Sequence, residues 1–85
     1  MHNILVIDDQ EDILKNIKAI LEDELYNVDI ALNSEESLNF INTKNYDLII
    51  LDVWLDNSEL DGLQLLKKIR KDKLMPIIII SGHGN

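Results

Sequence analysis

The 85-residue chain is 46% hydrophobic and 28% charged, and its 16 acidic against 8 basic side chains give a net charge of −8. It is too apolar for a disordered segment, has length for one small domain that buries about 60–65% of its unfolded surface, and lacks the clustered Lys and Arg that a phosphate backbone demands. The absence of cysteine excludes disulfides and thiolate metal sites, and no apolar run approaches the roughly 20 residues of a membrane span.

Met1-His2-Asn3 leads straight into an apolar run with no signal peptide, which predicts a cytoplasmic protein. Asn3 to Ile7 reads as the first strand. Asp8 or Asp9 is then expected to cap a helix from about Gln10 to Leu25, with Ile13, Ile17, Ile20, Leu21 and Leu25 as its apolar stripe. Lys15, Lys18, Glu22 and Asp23 fall on its wet side. Val28 to Leu32 reads as a second strand, placed at an edge because Asp29 interrupts it. Asn33 and Glu36 have capping-box spacing ahead of a short helix, Ser34 to Ile41, that turns Leu38 and Ile41 inward. Residues 42–45 form a loop.

Leu48 to Leu51 is the strand around which the rest is organised. Its four apolar residues show no polar alternation, the pattern of a strand buried on both faces. A polar loop, Asp56 to Glu59, precedes a helix opened by Asp61-Gly62 and running to about Lys71, with Leu63, Leu66, Ile69 and Arg70 partly inward. Pro76 starts the fourth strand, Ile77 to Ile80, and Ser81 to Asn85 is a loop. Strands alternating with helices give right-handed crossovers and a parallel sheet.

Three of these strands deliver oxygen groups at the same end: Ile7 runs into Asp8-Asp9, Leu51 into Asp52, and Ile80 into Ser81. Ligands of open α/β sheets bind at the carboxyl ends of strands. Like charges that close share a proton or hold a cation. Hard carboxylate oxygens without His or Cys favour Mg²⁺. The functional reading is a Mg²⁺-dependent phosphoryl site with one Asp as acceptor. Against it stands a bland one, in which Asp8-Asp9 are a helix cap and Asp52 a turn residue. His83 lies in a loop flanked by Gly82 and Gly84. It reads as a solvated histidine, the glycines as turn residues, and Trp54 as a partly buried packing residue.

Ile4 to Asp9, Leu48 to Leu55, Leu60 to Leu63 and Pro76 to Asn85 resemble the receiver domain of bacterial two-component response regulators. The string from Asp52 to Leu66, with Ser81 to Asn85, is most similar to the nitrogen-regulation, NtrX-type branch. The resemblance spans residues 1–85 as one receiver domain. It implies a CheY-like, flavodoxin-like α/β fold, a doubly wound parallel sheet of order 2-1-3-4. It implies that Asp52 takes phosphate from a sensor histidine kinase. Asp9, Asp52 and the backbone carbonyl of Trp54 would ligate Mg²⁺, with Asp8 acting through water. Ser81 would bind a phosphoryl oxygen and carry the switch. It further implies a C-terminal output domain, a transcription regulator, with no direct nucleic-acid contact by this segment and no membrane. On this reading the domain assists its own phosphotransfer and is not a turnover enzyme.

Two departures accompany the resemblance. Receivers usually carry Pro early in the loop after the acceptor, whereas here Leu55 leads to Asp56 and the loop to Gly62 looks longer. The family's fifth strand, its catalytic Lys, its aromatic switch residue and two helices are absent, so the chain reads as an N-terminal fragment. Such a fragment is expected to leave alternate residues of Leu48–Leu51 and Ile77–Ile80 bare on one face and to self-associate. Three other readings compete. An Asp-nucleophile phosphatase wants a second Asp two residues after the first, but Asp8 and Asp9 are adjacent. A dinucleotide-binding half needs a glycine-rich turn, and Asp8-Asp9-Gln10-Glu11 has none. The third is an inert receiver-like interaction module.

Overall fold

A computed structural model of the chain describes residues 2–56 and 58–81. The order is β1 (Asn3–Ile7), α1 (Glu11–Asp23), β2 (Asn27–Ala31), α2 (Ser34–Thr43), β3 (Leu48–Asp52), α3 (Gly62–Asp72) and β4 (Ile77–Ile80). The strands form one parallel sheet ordered β2-β1-β3-β4, the predicted topology. β2 is an edge as expected. Ser34, opening the expected second helix, begins α2, which runs two residues past Ile41.

Side chains alternate between two cores. Leu5, Ile7, Ile49 and Leu51 pack with Ile41 of α2 and with Leu65 and Ile69 of α3. Ile4 and Val6 pack with Leu14 of α1 and with Val28, while Leu48 and Ile50 join them half-buried. α1 therefore covers one face and α2 and α3 the other, as right-handed crossovers require. β4 is thinly covered. Ile78 is 51% exposed and Ile79, which points to the opposite face, is 42% exposed. On β4 the bareness predicted for one face falls on both, the α3 side being open because α3 packs over β3 rather than over β4, whereas Leu48 and Ile50 of β3 are half-buried and not bare as expected.

Both long helices keep part of the expected stripe inward, Ile17 and Leu21 in α1 and Leu66 and Ile69 in α3, and turn the rest out. In α1 the buried residue is Leu14, with Ile17 and Leu21 beside it, whereas Ile20 is 64% and Leu25 75% exposed. α1 stops at Asp23 in a Schellman motif: Tyr26 N–H donates to Leu21 O (3.2 Å) and Leu25 N–H to Glu22 O (3.0 Å). Leu25 occupies the left-handed position of that motif (φ 69°) and so cannot continue the helical face. In α3, Leu65 and Ile69 are buried while Leu63 points outward. Arg70 is exposed, yet its guanidinium donates to Met75 O at 2.6 Å and so ties the helix end to the approach of β4.

Candidate functional site

Parallel pairing sets the three strand ends side by side. Ile7 registers with Leu51, and Asp52 with Ile80, so Asp8-Asp9, Asp52 and Ser81 all emerge at one rim. This rim lies where the chain reverses direction between β1 and β3, the crevice in which doubly wound sheets bind ligands. Asp8 N–H donates to Ala31 O, and Val53 N–H to Ile80 O at 2.9 Å, extending the ladder past the strand ends.

The structure brings the three predicted aspartates together. One carboxylate oxygen from each of Asp8, Asp9 and Asp52 lies within 4.8 Å of the others. Asp52 is fully buried and Asp8 nearly so, while Asp9 is half-buried. Burial pushes the Asp8 carboxyl up to about 6; the Gln10 N–H opposes this, and the charges of Asp52 and Asp9 add to it. Burial first, and the neighbouring negative charges with it, disfavour the ionised form, and a bound cation would relieve both. The donors are all hard oxygens, with no imidazole or thiolate among them, which fits Mg²⁺.

Neither Asp8 nor Asp9 caps α1. The cap residue is Gln10, which makes no side-chain cap hydrogen bond. Asp8 Oδ1 accepts from Gln10 N–H (2.9 Å) outside the helix proper, and Asp9 Oδ2 accepts from Asp56 N–H (3.1 Å) across the rim. The acids that resemble a cap are turned to the site. Asp52 Oδ1 accepts from Trp54 N–H (3.1 Å), which folds the chain back over the carboxylate. The Trp54 side chain is 52% exposed rather than packed inside. Ser81 is exposed at the end of β4. His83, Gly82 and Gly84 lie outside the described residues.

Gly62 and a set of tethers went unrecognised in the sequence. A Cβ on Gly62 would stand 2.6 Å from Val53 Cα and collide with the carbonyl oxygens of Asp52 and Val53. Gly62 N–H donates to Val53 O at 3.1 Å, so α3 begins pressed against the backbone that carries the acceptor candidate. The sequence signal is a glycine at a helix start, where propensity disfavours it unless close approach demands it. The β3–α3 loop is also moored to α2. Ser34 N–H donates to Ser58 Oγ (2.7 Å), Leu60 N–H to Ser34 Oγ (3.1 Å), and Glu59 N–H to Glu35 Oε1 (2.9 Å). The Ser34 hydroxyl and the Glu59 N–H both donate to Glu35 and hold its carboxyl below the usual range. The longer loop is thus pinned, with Leu55 buried beneath it.

Residues 4–85 match the response regulator receiver domain. The chain belongs to that family. A putative NtrX-like response regulator of Rickettsia bellii is 49% identical over 83 residues, covering 96% of this chain and 17% of the relative. The nitrogen assimilation regulatory protein NtrX of Azorhizobium caulinodans is 44% identical over 85 residues, 99% of this chain and 19% of the relative. The crystal structure of the NtrX receiver domain from Brucella abortus superposes with a TM-score of 0.91 at 43% identity, covering 96% of this chain and 69% of that one. The receiver thus spans under a fifth of the length of these curated relatives. No helix among the described residues is long and apolar enough to cross a membrane.

Proposed function

We propose that this receiver accepts a phosphoryl group on Asp52 from the phosphohistidine of a sensor kinase, with Mg²⁺ held by Asp9, Asp52 and the Trp54 carbonyl and with Asp8 acting through water. The observation that carries the reading is the buried Asp52 carboxylate within 4.8 Å of two further carboxylates at the sheet's switch point. A carboxylate oxygen of Asp52 forms a bond to phosphorus as the donor's P–N bond breaks and the imidazole leaves, giving an acyl phosphate. A bound divalent cation supplies charge neutralisation for the phosphoryl oxygens. The Trp54 N–H orients Asp52 by holding Oδ1. Ser81, one residue beyond the β4 partner of Asp52, would hydrogen-bond a phosphoryl oxygen and report its arrival.

The chain acts as an acceptor and not as a turnover enzyme, and its aspartyl phosphate drives an output domain of transcription-regulator type elsewhere in the parent protein. The resemblance to NtrX-like regulators supports both statements. The test is intact mass after incubation with Mg²⁺ and acetyl phosphate. The expected result is a gain of one base-labile phosphoryl group that is lost in Asp52→Asn and in the presence of a chelator. Modification persisting in Asp52→Asn overturns the assignment, and catalytic hydrolysis of a phosphate ester would move the chain to the phosphatases.

A further inference from the structure

Beside the acid rim, between the end of β3 and the first turn of α3, lies a cavity of about 190 Å³ lined by Val53, Trp54, Leu55, Asp56, Asp61 and Leu63. The phosphoacceptor reading makes no use of it. Two of its large apolar side chains, Trp54 and Leu63, are 52% and 53% exposed. Large apolar groups left wet around a concavity mark an interaction site. The cavity is smaller than the ~300–1,000 Å³ of sites for drug-sized ligands, and its size suits a single side chain.

The charge of the cavity selects the occupant. Asp56 and Asp61 line it, and among the described residues no Lys, Arg or His does. Four amides around it, those of Asp56, Asp61, Gly62 and Gln64, are already engaged. Gly62 N–H donates to Val53 O, Gln64 N–H to Asp61 Oδ1, Asp61 N–H to Gln64 Oε1, and Asp56 N–H to Asp9. Among cations, a guanidinium matches an aromatic face beside carboxylates. It is planar and weakly hydrated, stacks on indole, and forks onto carboxylate oxygens, whereas an ammonium is a strongly hydrated point charge. Its methylene stem can lie along apolar wall such as Leu55 and Leu63. The net charge of −8 draws a basic surface toward the chain from any direction.

We propose that this cavity receives an arginine side chain of a protein partner that docks next to Asp52. The proposal stands on the cavity and holds whether or not Asp52 takes phosphate. The probe is N-acetyl-arginine methylamide, titrated into the whole chain against its citrulline analogue, which has the same shape without the charge. The reporter is the indole N–H resonance of Trp54, the one tryptophan. A saturable shift is expected for arginine, with binding at least fivefold weaker for citrulline. Asp56→Asn should weaken arginine binding at least threefold and leave citrulline unchanged. Asp61→Asn should do the same while retaining a competent helix cap. Equal binding of the two probes, a shift that rises linearly without saturation, or indifference to both substitutions overturns the proposal. A parallel Mg²⁺ titration read at the Asp8, Asp9 and Asp52 amides scores the acid rim by itself. Its failure removes the metal reading and leaves the cavity standing, and the converse also holds.

Discussion

Of the three helices that leave the carboxyl rim of the sheet, α1 and α3 begin in opposite ways. α3 starts with a complete capping box: Asp61 accepts from Gln64 N–H at 2.8 Å, and the Gln64 side chain accepts from Asp61 N–H at 3.0 Å. α1 starts at Gln10 with no side-chain cap, although two aspartates immediately precede it. α1 compensates with Glu11 and Asp12 in its first turn, which complement the helix dipole. The same residue type stabilises a helix at one junction and is withheld for the site at the other. Asp8 and Asp9 are therefore held where they repel each other and Asp52, while Asp61 is committed to the start of its own helix.

The contrast can be tested by substitution. The largest effect is expected at Gly62, where a methyl group meets backbone and not a movable side chain. Gly62→Ala should cost about 3 kcal/mol by urea unfolding, since overpacking against a rigid neighbour is not relieved by a rotamer change. A loss under about 0.5 kcal/mol would mean that α3 can slide away from Val53.

Next comes the repulsion at the rim. The folded Asp8 pKa of about 6 lies above its ordinary 3.8, so between these values the native state binds the extra proton. As far as Asp8 is concerned, stability in chelator-treated buffer should thus be greatest below about pH 4. It should fall by roughly 2–3 kcal/mol as the pH rises from there through about 6, and flatten above. Asp8→Asn keeps an oxygen for the Gln10 N–H, so at pH 7 it should raise stability by a similar amount and abolish that slope. Unchanged pH dependence in the variant would show that Asp8 is not the strained group. Asp29 works with the opposite sign. Burial favours its neutral form, but hydrogen bonds from Tyr46 (2.6 Å) and Lys44 (2.9 Å) outweigh that and lower its pKa. Its contribution is lost only as the pH drops through that lowered value.

Smaller effects distinguish the caps themselves. Asp61→Ala should cost about 1–2 kcal/mol and Gln10→Ala under about 0.5, both by thermal or urea unfolding. Equal losses would erase the difference between the junctions. The smallest effect is a gain at the other end of α1: Leu25→Gly removes a left-handed leucine and should stabilise by about 0.5–1 kcal/mol. A loss there would mean that the exposed leucine packs in a way its 75% exposure does not suggest.

The strands and their order were legible because unbroken runs such as Ile4–Ile7, Leu48–Leu51 and Ile77–Ile80 suit only a parallel sheet, and crossover handedness then leaves little choice. The three aspartates were legible because each follows such a run. The helix faces were not. In α1, Leu14, Ile17 and Leu21 fit a helical period as well as Ile13, Ile17 and Ile20 do, and the sheet decides between them. In α3, Leu63 and Leu65 are both apolar, and the close approach at Gly62 determines which of them turns inward. Half of the Asn33–Glu36 box was also legible: Asn33 accepts from Glu36 N–H at 2.9 Å, but Glu36 reaches back to Leu32 N–H. The mooring of the β3–α3 loop was hidden because it joins residues some 24 positions apart through hydroxyls and amides that carry no periodic signal.

That mooring gives an irregular segment the exchange behaviour of ordered structure. The amides of Asp56, Glu59 and Leu60 donate to Asp9, Glu35 and Ser34, three side chains of two other parts of the chain. A protease needs a locally unfolded stretch of chain in its cleft, and releasing one here means breaking all three anchors together. The β3–α3 loop should therefore resist nicking and retain deuterium-protected amides long after ordinary surface loops have exchanged.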